Sequence, residues 1–150
     1  MNNHVSVAMA LAYFGLAGPL AAQTITEFPL PTTGSPAAIT AGPDGSLWFT
    51  EVYSNRIGRI TTAGVVTEFP IPTANSFDGG PRVGGITAGP DGNLWFTNQF
   101  NNSIGRITSA GAVTNYTGTG LASPVSIAAG PDGNLWFTNP ENNSIGRLIP

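Results

Sequence analysis

Residues 41–50, Ala-Gly-Pro-Asp-Gly-Ser-Leu-Trp-Phe-Thr, decide the fold of this chain because they come back twice. The same string, with Asn in place of Ser, occupies 88–97 and 129–138, and each copy is followed by Ile-Gly-Arg, at 57–59, 104–106 and 145–147. The copies start 47 and 41 residues apart. A repeat of ~40–45 residues built around a Trp-bearing strand is the mark of a propeller blade, one four-stranded sheet per repeat. The expected fold is all-β, a β-propeller of four-stranded antiparallel blades with about three blades present.

Within the first unit, Ala38–Ala41 reads as a short inner strand. Pro43-Asp44-Gly45 reverses it, with Pro preset for a turn and Gly where φ must be positive. Leu47–Glu51 is the second strand, Tyr53-Ser54-Asn55 a turn, Arg56–Thr61 the third strand, Ala63-Gly64 a turn and Val65–Ile71 the fourth strand. The blades fall at about 37–71, 84–117 and 125–148, preceded by a lone strand at 25–30. Leu47-Trp48-Phe49 is apolar without alternation, so both faces of this strand must be covered, which stacked blades achieve. Trp48, Trp95 and Trp136 are accordingly read as inter-blade packing residues rather than ligand platforms. The recurrent Arg59, Arg106 and Arg147 are expected to pair with a carboxylate or carbonyl of a neighbouring blade. Segments 101–103, 115–117 and 142–144 match the glycosylation pattern, but Asn is a common turn former and is read as one here.

Composition narrows the partners. Five Arg and no Lys against eight Asp and Glu give a net charge of −3, and 9% charged residues leave no basic stripe, so no nucleic acid is expected as partner. The 20 Gly and 13 Pro sit mostly at turn offsets, and the lack of Cys excludes disulfides and thiolate metal sites. Residues 1–22 carry an apolar run, Val5–Leu20, and end Leu20-Ala21-Ala22 before Gln23, the pattern of a secretory signal peptide, although Asn2, Asn3 and His4 bring no Lys or Arg. An uncleaved anchor is the rival, disfavoured because the run is shorter than the ~20 residues that span a bilayer. The expected location is secreted or periplasmic, with no membrane attachment after cleavage.

Alternating strand direction puts the Asp-Gly turns on one rim. The other rim gathers Glu51–Asn55 and the connection 31–36, where a site would lie. Departures from the repeat mark candidates: Glu51 becomes Asn98 and Asn139, and the connection between the first two units carries Phe77, Asp78 and Arg82, which do not recur. These could meet a small-molecule or peptide ligand, against a default of a solvated loop with an Asp78–Arg82 pair. No nucleophile-and-base pair can be assembled, because His4 is the single His and falls in the leader. No catalytic residue is therefore assigned. The three turn Asp, one per unit, are read as turn formers rather than calcium ligands.

The units 36–73 and 83–116 closely resemble blades of the virginiamycin B lyase (streptogramin lyase) family. The resemblance rests on Leu-Trp-Phe-Thr, Ile-Gly-Arg-Ile and Thr-Glu-Phe-Pro-Ile-Pro and covers nearly all of 25–148. It implies a seven-bladed propeller that opens type B streptogramins by eliminating across the ester of the cyclic depsipeptide, using magnesium, carboxylates and histidines. A weaker likeness links it to NHL-type and gluconolactonase-like propellers. The family's histidine position corresponds here to Ala37, Gly84 and Val125, and its glutamate position to Glu51, Asn98 and Asn139. The resemblance thus implies one retained carboxylate, no base, and no cofactor held by this chain itself, magnesium belonging to the full-length family.

Seven blades of this size would need about 290 residues, and propellers close with ~4–8 blades. If each uncovered end face buries roughly 500 Å² of apolar surface, its exposure costs about 12 kcal/mol, comparable to the stability of a domain. The expectation is a truncated lyase-like propeller, inactive alone, or a homo-oligomer that completes a ring, with the N-terminal strand in phase to finish the last blade. The alternative is an extracellular module whose rim binds a glycan, peptide or protein.

Overall fold

The computed structural model describes residues 23–72 and 82–150. Each repeat folds into its own antiparallel sheet. Blade one contains β1 (Pro36–Ala41), β2 (Leu47–Glu51), β3 (Arg56–Ile60) and β4 (Val66–Pro70), and blade two contains β5 (Val83–Ala88), β6 (Leu94–Asn98), β7 (Ser103–Ile107) and β8 (Val113–Thr117). Blade three has three strands, β9 (Ile127–Ala129), β10 (Leu135–Asn139) and β11 (Ser144–Leu148). All pairings run between sequence neighbours, the up-and-down meander of a propeller blade, and the first strands β1, β5 and β9 lie side by side.

The Asp of each Asp-Gly turn does more than reverse the chain. Asp44 Oδ1 accepts the Ser46 N–H at 3.2 Å and the Trp48 Nε1–H at 2.9 Å. Asp91 repeats this with Asn93 and Trp95, and Asp132 with Asn134 and Trp136. The indole is thereby oriented from its polar edge. The bodies of Trp48 and Trp95 enter a blade interface, whereas Trp136, also expected to pack between blades, is 38% exposed because no described blade covers it. Across the strand pair, Trp48 stands opposite Arg59, Trp95 opposite Arg106 and Trp136 opposite Arg147. The guanidinium lies over the ring in each case, at 5.7, 5.9 and 5.7 Å. This revises the expectation for the arginines, which pack chiefly on an aromatic ring of their own blade. Arg59 also reaches its own Asp44 at 3.6 Å and, as expected, a neighbouring-blade carbonyl, Ser109 O, at 3.4 Å.

Two cores result, one per interface. Trp48, Ile57 and Ile71 pack on Val83, Ile86, Leu94, Phe96 and Ile107, and Trp95 and Ile104 pack on Ile127, Leu135 and Phe137. Close approach depends on glycine at one recurring place. The far end of the Phe96 ring lies against Gly105, as that of Phe49 does against Gly58 and that of Phe137 against Gly146, where a Cβ would meet the ring.

A threonine on the second strand of blades one and two latches each to the next. Thr50 Oγ1 accepts the Ala38 N–H at 3.1 Å and donates to Gly84 O of blade two at 2.9 Å. Thr97 Oγ1 accepts the Gly85 N–H at 2.9 Å and donates to Val125 O of blade three at 2.7 Å. Thr138 Oγ1 accepts the Ser126 N–H at 3.0 Å, on an exposed surface.

One expectation is corrected. Residues 23–35 contain no strand, so the lone strand at Ile25–Leu30 does not form. A strand needs a neighbour's N–H and C=O groups, and none is offered to this segment. Its placement is still that of a fourth strand, because Phe28 covers Gly64 of blade one as Phe69 of β4 covers Gly111 of blade two. The leader at 1–22 lies outside the described residues, and among the described residues no helix is long and apolar enough to cross a membrane.

Candidate functional site

Glu51, Asn98 and Asn139 occupy the same register position, the last residue of each second strand, on the rim away from the Asp-Gly turns. All three side chains are buried, with exposures of 0%, 0% and 2%. The structure thus places them at one level on adjacent blades, buried rather than open to solvent.

What each holds differs. Glu51 Oε2 accepts the hydroxyls of Ser54 at 2.6 Å and Thr32 at 3.2 Å, and Gly34 packs so closely that a Cβ there would meet the carboxylate. Thr32 also ties this group to Glu68: its single hydroxyl proton is shared between Glu51 Oε2 and Glu68 Oε2, the latter at 3.0 Å, its N–H donates to Glu68 Oε1 at 3.3 Å, and Arg56 lies 3.7 Å from the Glu68 carboxylate. Glu51 Oε1 has no hydrogen-bond partner. Asn139 is fully committed to the loop before blade three. Its Oδ1 accepts the Ala122 N–H at 2.7 Å and its Nδ2 donates to Gly120 O at 2.6 Å. Asn98 is the outlier, with both amide atoms buried and unpaired, and the hydroxyl of Ser103, its cross-strand neighbour, is unpaired as well.

Thr32, Ser54 and Glu68 were not singled out from the sequence. The available signal was the match of 26–32, Thr-Glu-Phe-Pro-Leu-Pro-Thr, to 67–73, which makes the N-terminal segment a copy of the exit from a fourth strand and so delivers Thr32 to the blade-one rim.

Of the loop candidates, Phe77 and Asp78 lie outside the described residues. Arg82 is placed: its guanidinium stands 5.6 Å from the Phe100 ring and its carbonyl accepts the Gln99 N–H at 2.9 Å. The positions 37, 84 and 125, which the resemblance pairs with histidines, differ in room. Ala37 is exposed and Val125 is 38% exposed, whereas a Cβ on Gly84 would run into Val125 O and Thr97 Oγ1. The Asn-rich turns behave as turns, with Asn102 and Asn143 left-handed at φ 46° and 47°.

Shifted carboxylates sit on the opposite rim. Burial pushes Asp44 and Asp91 up. The hydrogen bonds they accept, from Trp48 and Ser46 and from Asn93 and Trp95, outweigh it and hold both below the usual aspartate value. Hydrogen bonds from Asn134 and Trp136 lower Asp132 to about 2. These shifts belong to the turn clasp and mark no acid–base site.

Stacked antiparallel meanders, two of four strands and one of three, with repeated registers and inter-blade latches define a β-propeller of three described blades. A sequence model of the virginiamycin B lyase family matches residues 19–150, and the chain belongs to that family. It superposes on virginiamycin B lyase from Staphylococcus aureus with a TM-score of 0.75 and 49% identity, over 85% of this chain and 42% of that one. A catalytically inactive form of the Staphylococcus aureus enzyme, solved with quinupristin, gives a TM-score of 0.74 and 50% identity, over 83% and 42%. Virginiamycin B lyase of Bordetella bronchiseptica is 43% identical over 55 residues, 34% of this chain and 17% of that protein. The chain therefore spans about two-fifths of the solved relatives it matches.

Proposed function

We propose that this chain supplies scaffold blades of an exported lyase-like propeller of the kind that opens type B streptogramins by elimination, and that these blades alone do not perform the elimination. One observation carries the reading: the positions corresponding to the family's histidines hold Ala37, Gly84 and Val125, and the single His of the sequence is His4. An elimination needs a base within hydrogen-bond reach of the proton removed, and no imidazole stands on these rims.

The family implies magnesium, and the residues present do not fit it. Among the described residues no three His, Cys, Asp or Glu side chains come together. Glu51 offers one unpaired oxygen, its other oxygen holds two hydroxyls, and Glu68 is engaged by Thr32 and Arg56. Magnesium keeps several waters but is usually fixed by one or two carboxylates converging on it, which this arrangement lacks. Glu51 is accordingly a buried group that anchors the incoming loop.

The test is incubation of the purified chain with quinupristin and magnesium, followed by chromatography and mass spectrometry. Elimination opens the ring without changing its mass, whereas hydrolysis adds a water. The expected outcome is intact cyclic antibiotic. A magnesium-dependent ring-opened product of unchanged mass would overturn the proposal.

A further inference from the structure

Blade two replaces a charged cluster of blade one by a smaller, neutral one. In blade one, Glu51 at the end of β2 stands opposite Arg56 of β3, and Glu68 of β4 stands opposite Gly58, so the three side chains share one face of the sheet. The Thr32 hydroxyl lies between the two carboxylates, 3.2 Å from Glu51 Oε2 and 3.0 Å from Glu68 Oε2, and Arg56 is 3.7 Å from Glu68. Blade two keeps the register. Asn98 stands opposite Ser103, and Asn115 opposite Gly105. Asn98, Ser103 and Asn115 therefore take the places of Glu51, Arg56 and Glu68, each with a shorter side chain and none with a charge.

The polar atoms of this neutral set are buried and unmatched. Asn98 Oδ1 and Nδ2, Ser103 Oγ and Asn115 Oδ1 have no hydrogen-bond partner, and Asn98 and Ser103 are 0% and 1% exposed. Blade three shows what satisfies the same asparagine elsewhere. Asn139 donates to Gly120 O at 2.6 Å and to Ser144 Oγ at 3.3 Å, and accepts the Ala122 N–H at 2.7 Å. The residue of blade two that matches Ala122 in the repeat is Pro81, which has no N–H to offer. The repeat register holds at its neighbour, because Arg82 O accepts the Gln99 N–H as Ser35 O accepts the Val52 N–H. Nearly all buried amides and hydroxyls in folded proteins find a protein or water partner.

We propose that Asn98, Ser103 and Asn115 form a binding site for ordered water, with at least one molecule bridging the second-strand and fourth-strand side chains as the Thr32 hydroxyl bridges Glu51 and Glu68 in blade one. The chemistry matches. The Asn98 amide and the Ser103 hydroxyl donate, the Asn98 and Asn115 carbonyl oxygens accept, and a buried water takes ~2–4 such partners. The exchange of Glu, Arg and Glu for shorter residues supplies the room. An ion is a poor occupant, because no charge remains in the cluster to balance it. Blade two thus holds this corner through an exchangeable molecule, where blades one and three use groups of the chain itself.

Two measurements on the full chain test this. In isotope-labelled wild-type protein, the Asn98 side-chain amide protons, identified through their bonds to the backbone, are read for cross-relaxation with water. The expected signal has the sign that only a water held longer than molecular tumbling gives. Its absence overturns the proposal, and so does cross-relaxation with a side chain of 73–81 in its place. Urea denaturation of Asn98→Leu and Ser103→Ala gives the second reading, the serine change adding no bulk. With water bound, each variant strips partners from a satisfied network, and its unfolding equilibrium constant rises, by about tenfold for Asn98→Leu. At a dry site both variants remove groups that had no partner, so midpoints unchanged or raised overturn the proposal.

Discussion

Replacing the latch threonines by valine, one at a time, separates what holds a blade together from what joins it to the next. Valine keeps the branched shape and removes the hydroxyl, so the cost is the hydrogen bonds lost plus any group left unpaired. Thr50→Val removes the bond to Gly84 O across the interface and strips the Ala38 N–H of its acceptor. A lost bond at ~1 kcal/mol and a partly buried orphan N–H at ~1 kcal/mol sum to about 2 kcal/mol. Thr97→Val also breaks an interface bond, but the Gly85 N–H keeps a second acceptor, Val125 O at 2.7 Å, so about 1 kcal/mol is expected. Thr138→Val removes an exposed acceptor and should cost less than about 0.5 kcal/mol in dilute solution. Urea denaturation followed by tryptophan fluorescence reads these as midpoint shifts at constant slope. If Thr50→Val and Thr97→Val unfold within about 0.3 kcal/mol of wild type, as surface changes do, the latch carries no stability and the reasoning is wrong. An inverted order, with Thr97 costlier than Thr50, would refute the account of the spare acceptor.

Acid should loosen the indole clasps. Asp44, Asp91 and Asp132 have folded pKa values below that of an unfolded aspartate, Asp132 at about 2, so their stabilisation is complete above the unfolded value, near 3.9, and is lost as pH falls through the folded ones. Tryptophan fluorescence should stay flat from neutral pH to about 4 and change between about 4 and 2, and Asp91→Asn should reduce that change. An unaltered acid profile in the variant would exclude the clasp as its source. Gly105→Ala places a Cβ against the fully buried Phe96 ring and should destabilise by about 1–3 kcal/mol despite alanine's lower backbone entropy, measured by thermal unfolding. A neutral or stabilising result would mean the ring can move aside.

The blade was legible because its signals are local and repeated. Leu47-Trp48-Phe49 demanded cover on both faces, and Trp48 and Phe49 are buried on opposite sides of blade one's second strand. The Asp–Trp clasp was equally visible, as Asp and Trp four residues apart in all three copies, but the turn chemistry of Pro-Asp-Gly already accounted for the Asp and hid its second role. The segment at 25–30 was misread because strand pattern and strand formation are different things. The pattern is right, as Phe28 on Gly64 shows, yet the hydrogen bonds must come from an edge that this chain does not offer nearby. Glu51 was read as a rim group open to ligand, and its burial depends on Thr32 and Gly34 folding over it, a contact set by the loop path rather than by residue type.

The use of that register position bears directly on what these blades can do. In blades one and three the last residue of the second strand is spent on the loop that leads into its own blade, as carboxylate to hydroxyls at Glu51 and as amide to backbone at Asn139. A side chain whose atoms are already bonded and buried cannot also meet a substrate without releasing its loop. The first-strand positions 37, 84 and 125 also differ from one copy to the next. Ala37 and Val125 are open enough to accept an imidazole, while at Gly84 the Cβ itself would collide with Val125 O and Thr97 Oγ1, the two atoms that latch blade two to blade three. The contact between blades two and three is thus built on the absence of a side chain at Gly84, so any larger residue there would push the two blades apart.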